Sequence, residues 1–72
     1  MTDFFEPPAW SLDANGAVEP EAAAKLRAWW REREFTSVVL ETLIADPQSA
    51  DSFRDRLARG IRKQRQFRYA AT

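Results

Sequence analysis

The residues best suited to chemistry lie near the end of the chain. Between Arg54 and Arg68 seven basic side chains (Arg54, Arg56, Arg59, Arg62, Lys63, Arg65 and Arg68) stand against a single acid, Asp55. At 100° per residue, Arg56, Arg59, Arg62 and Lys63 share one side of a helix, and Arg54 and Arg65 flank its apolar stripe. Cations spaced in this way bind phosphates or carboxylates, and Phe67 and Tyr69 beyond them are placed to stack on bases. Two observations weigh against a dedicated nucleic-acid binder. Formal net charge is zero, whereas such proteins are usually basic overall. Basic residues in a helix's last turns also complement its macrodipole for structural reasons alone. A solvated or internally paired face is the plainer reading, and the acids of residues 1–24 are available to pair with it.

A second group is aromatic and apolar. Trp29 and Trp30 are adjacent on a helical stretch, so their directions differ by 100° and one is expected to reach past the core edge. Trp, Phe and Arg are the types enriched at interface hot spots. Together with Phe35, Val38, Val39 and Leu43, the two tryptophans make a candidate protein-contact or dimer surface, although either tryptophan alone is more simply a core residue. Glu32, Glu34 and Glu41 have no oxygen-rich spacing that would build a metal or acid–base site. The chain lacks both histidine and cysteine, which removes imidazole and thiolate ligands, the commonest general base and the best thiol nucleophile. No enzyme, metal or cofactor is expected.

The element that positions both groups is the stretch Pro20 to Asp46. Ala22, Ala23, Leu26, Trp29, Trp30, Leu40 and Ile44 fall on one side of a helix through it; Phe35, Val38, Val39 and Leu43 fall on the other. A helix apolar on both sides needs two partner surfaces. A break near Glu34 to Thr36 would give two shorter helices with separate faces. A continuous helix is favoured, since no Gly or Pro lies between Glu21 and Asp46 and a sharp kink usually has such a cause. Glu19-Pro20-Glu21 suits the helix start. Asp46-Pro47 separates it from a last helix, with Asp46 or Ser49 as cap. That last helix carries the stripe Phe53, Leu57, Gly60, Ile61, Gln64, where Gly60 either admits another backbone or is simply tolerated. Before Pro20, Pro7 and Pro8 forbid helix and favour an extended arm. Its Phe4, Phe5, Trp10 and Leu12 are expected to pack, and Asn15-Gly16 allows a short hairpin from Trp10 to Val18.

The expectation is therefore an all-α single domain over residues 1–72: an arm (1–19), then a helical hairpin with a long helix at about 20–45 and a second at about 48–67. A chain of 72 residues buries only roughly 60% of its unfolded surface, so a homodimer is expected to cover the second apolar side. No apolar run is long enough for a bilayer, and a soluble, cytoplasmic protein is expected. The function expected is a small non-enzymatic regulatory or inhibitory module that binds a protein partner with an acidic surface. Trp29, Trp30, Phe35, Val38, Val39 and Leu43 would form its apolar contact, and Arg56, Arg59, Arg62, Lys63 and Arg65 its basic one. The alternative is a nucleic-acid-binding regulator with the same cations on phosphates.

Overall fold

Asp13 organises the chain ahead of the first helix. Its carboxylate Oδ1 accepts from the backbone N–H groups of Asn15 (2.8 Å) and Ala17 (3.0 Å), and Gly16 takes φ +82°, the left-handed region a glycine enters without steric cost. The turn brings Leu12 and Val18 into an isolated antiparallel bridge, with Glu19 N–H bonded to Ser11 O at 2.9 Å. In this computed structural model, which describes residues 3–70, the rest of the regular structure is three helices: α1 (Pro20–Glu32), α2 (Ser37–Ala45) and α3 (Ala50–Tyr69). The first two and last two residues lie outside the description.

The single long helix expected over 20–45 is two helices. Its end needs neither Gly nor Pro. Glu34 adopts φ +59°, its N–H bonds to Arg31 O at 2.9 Å, and the next N–H, of Phe35, reaches back to Trp30 O at 3.2 Å. This pair of bonds satisfies carbonyls that a terminating helix leaves open, and it is usually built around a left-handed glycine. The apolar contact that accompanies such a closure is present as well, with the Phe35 and Trp30 rings 5.1 Å apart and edge-to-face. Trp30 then fixes the start of α2 by donating its indole Nε1–H to Thr36 O at 2.8 Å. On the far side, Thr36 N–H donates to Gln64 Oε1 of α3 at 2.9 Å.

Because the chain turns back here, the two apolar sides of the stretch converge on one core. Ala22, Ala23, Leu26, Trp29 and Trp30 of α1 meet Leu40 and Leu43 of α2 and Phe53, Leu57 and Ile61 of α3, with Val18 and Phe35 contributed by the connections. The second face, for which a homodimer is expected from the sequence, is covered within one molecule except at Val38. Arg27 and Glu41 clamp α1 to α2 through paired bonds of 2.8 and 3.0 Å. The hydrogen bond from Arg27 holds the Glu41 carboxyl below its ordinary range. Both side chains are nearly half exposed, so the pair contributes about 0–1 kcal/mol.

The last helix begins two residues later than the expected 48. Ser49, not Asp46, is the N-cap, its Oγ accepting from Ser52 N–H at 3.1 Å. Asp46 ends α2. Gly60 needs no second backbone to explain it: a Cβ there would lie 3.7 Å from Trp30 Cη2 and Val39 Cγ1 and 3.9 Å from Leu43 Cδ1, which is ordinary contact.

Two substitutions check this account by chemical denaturation. Glu34→Gly is expected to be more stable than Glu34→Val by roughly 1–2 kcal/mol, since both lose the same side chain and only Val is penalised in the left-handed region. A continuous helix would reverse the order, glycine being the poorer helix former. Gly60→Ala is expected to raise stability by about 1 kcal/mol.

Candidate functional site

Most of the candidate apolar surface is interior. Trp29, Trp30, Phe35 and Leu43 are buried in the chain's own core and Val39 is half-buried against it; Val38 alone faces water, 63% exposed. The reason is the turn at Glu34, which rotates the second apolar side inward. As a contact surface the set of six is dispersed.

The cations divide into those bound within the molecule and those that are not. Arg56 is structural: its Nη2 donates to Asp46 O and Pro47 O, both at 2.7 Å, and its Nε to Ser52 Oγ at 3.2 Å. It thereby binds the connection before α3 to the helix itself, where two carbonyls would otherwise lack a partner. Arg68 pairs with Glu34. Arg54 donates to Asp51 at 3.1 Å and lies 5.4 Å over the Trp10 ring, and Arg65 lies 4.3 Å over the Phe5 ring. Arg59, Arg62 and Lys63 are exposed. Among the described residues they have no ion pair or side-chain hydrogen bond within the molecule. By helical geometry they occupy the side of α3 opposite the Leu57–Ile61 stripe, with the exposed Asp55 one turn before Arg59 and Gln66 continuing the same face.

The acids of the leading segment do not neutralise this face. Asp3 Oδ1 accepts from Phe5 N–H and Asp13 serves its own turn. The segment meets α3 through rings: Trp10 against Phe53 at 4.7 Å, and Phe4 and Phe5 against Tyr69 at 6.0 and 5.3 Å. Phe67 is 80% exposed and Tyr69 less so, and Tyr69 donates its hydroxyl to Arg33 O at 2.9 Å.

Comparison with protein-family models, with curated proteins and with solved structures found no match. Among the described residues no helix is long and apolar enough to cross a membrane, and no cluster of carboxylates is arranged to hold a metal ion.

Arg33, one of the arginines that frame the tryptophans in the sequence, belongs to this architecture. Its guanidinium lies between the Phe4 and Trp29 rings, 4.4 and 4.2 Å from their centroids. It donates to Phe4 O at 2.6 Å and Trp29 O at 2.8 Å. The i,i+4 spacing from Trp29 was the available signal; the contribution of Phe4, far away in sequence, had none.

The division of the cations has a measurable form. Arg56→Ala is expected to cost roughly 1–3 kcal/mol by stranding backbone acceptors. The combined R59A, R62A and K63A variant is expected to stay within about 1 kcal/mol of wild type, as exposed substitutions do. Urea midpoints distinguish the two.

Proposed function

We propose that the chain is a small binding module without chemistry of its own, which docks an acidic protein surface through Arg59, Arg62 and Lys63 on the outer face of α3. The observation that carries this reading is selective: the other arginines of α3 are engaged with a carbonyl, a carboxylate or a ring, while these three positive charges are left facing water. Charges of this kind raise the rate of encounter with an oppositely charged partner and set its orientation. A regulatory or inhibitory role follows if the partner uses the same acidic surface elsewhere. A second copy is not part of this reading, because the apolar sides that asked for one meet inside a single molecule.

The nucleic-acid alternative is the weaker one on the number of contacts. Three phosphate contacts correspond to a slope of about −2.7 in log affinity against log salt, a loss of roughly 40-fold between about 50 and 200 mM. Dedicated binders commonly make about 6–10 such contacts. Phe67 adds one exposed ring for stacking, and adding Arg54 and Arg65 to the three gives five cations on neighbouring sides of α3, still below that number.

Affinity capture from the native cell with tagged wild type and with the R59A/R62A/K63A variant tests the proposal. A protein partner retained by the wild type and lost by the folded variant is the expected result. A duplex DNA fragment bound at low salt by the wild type, with a slope of about −2.7 or steeper, and not by the variant would instead assign the surface to nucleic acid.

A further inference from the structure

On the side of α3 next to the cationic face, the leading segment stands off the helix and leaves a notch of about 270 Å³. Phe5, Pro7 and Trp10 form one wall, and Leu57, Ala58 and Ile61 form the floor. The opening exists because position 58 carries only a methyl group and is exposed. This volume lies below the roughly 300–1,000 Å³ of sites for drug-sized molecules, which leaves room for one large side chain.

Arg54, Ala58, Ile61 and Arg65 follow one another at i, i+4, i+7 and i+11, so the two arginines sit on the same stripe, roughly 16 Å apart along the axis; Arg54 lines the notch, and Arg65 lies beyond Ile61, over the Phe5 ring of its wall. Each guanidinium lies over a ring of the wall, Arg54 5.4 Å from the Trp10 centroid and Arg65 4.3 Å from that of Phe5. Stacking uses the face of the guanidinium and leaves its in-plane N–H donors for a carboxylate; a fork held in this way also loses less freedom on pairing. Arg54 already donates to Asp51, but that pair is exposed, with Asp51 98% accessible, and is readily exchanged for another carboxylate.

We propose that this notch receives one bulky apolar side chain from an acidic peptide segment of another protein, with carboxylates on either side of the anchor meeting Arg54 and Arg65. The proposal rests on the reading of α3 as the docking element for an acidic partner, and names the part of that partner which confers specificity. Charge complementarity selects the occupant: the notch is apolar at its floor, Arg54 lines it, and Arg65 stands beyond it over Phe5. The chain's own exposed apolar residues do not fit it. Phe67 lies between Gln66 and Arg68, Val38 between Ser37 and Val39, and Phe4 is held beneath Arg33.

The test is fluorescence anisotropy of the full chain with a labelled short peptide bearing a central Phe and two Glu on each side. Replacing the peptide's Phe with Ala is expected to weaken binding at least about tenfold, and replacing its Glu residues with Gln at least about threefold. Ala58→Glu, which puts a carboxylate at the mouth, is expected to weaken binding by about tenfold or more, and R59A/R62A/K63A by no more than about threefold. Equal binding of the Phe and Ala peptides, which needs no change in the protein, overturns the proposal, as does the absence of any binding by wild type at about 1 mM, the weak end of the affinity scale. Capture of the native partner separates the two readings. If Ala58→Glu retains the partner and the triple variant loses it, the notch is not the specificity site and the cationic face stands; the reverse pattern keeps the notch and removes the cationic face.

Discussion

Trp30 is held from several directions at once, and the path of the chain depends on it. Its carbonyl accepts the Phe35 N–H, its indole donates to Thr36 O, its ring packs on Phe35 and Trp29, and it is 1% exposed. These contacts end α1 and set the direction in which α2 departs. If they were absent, residues 20–45 could continue as one rod with apolar residues on both sides, and no arrangement of α3 would cover both. The cost is a glutamate in left-handed backbone, about 1–2 kcal/mol. Burial of Phe35, Leu40 and Leu43 in the common core, at roughly 1.5–3 kcal/mol for a fully buried large apolar side chain, exceeds it.

Several elements were legible in the residues alone. Pro20 at a helix start, the Asn15-Gly16 turn and the Phe53–Leu57–Ile61 stripe each express a local rule, and the structure follows each. The break at Glu34 was hidden because its cause is not local. The backbone closes around Trp30 and Phe35 without the glycine that ordinarily announces such a turn, and the two-sided apolar pattern that marked the break also fits a helix waiting for a partner. The basic run was visible as composition, but which cations remain available was not. Arg56 is taken by carbonyls ten and nine residues away and Arg68 by the side chain at the helix break, while Arg65 is only positioned by a ring of the leading segment.

Arginine serves here as the cross-linking residue of a chain without disulfides. Arg33 joins Phe4 to α1, Arg27 joins α1 to α2, and Arg56 closes the connection between α2 and α3. Each of these uses more than one donor of the planar fork or stacks it on a ring, which a lysine ammonium cannot reproduce. The lysine of the last helix, Lys63, lies on the open face, where a mobile point charge is sufficient. Function and stability thus draw on the same residue type at different positions, and solvent exposure separates the two.

Phe4, Phe5 and Phe35 meet around Tyr69, whose hydroxyl donates to Arg33 O, so the leading segment, the helix break and the final turn of α3 share a single seal. Termini commonly fray independently of one another. In this molecule, peeling away the leading segment strips the last turn of α3 of its aromatic neighbours, and unwinding that turn does the same to the leading segment. The leading segment and the last turn of α3 are therefore expected to open as one cooperative unit.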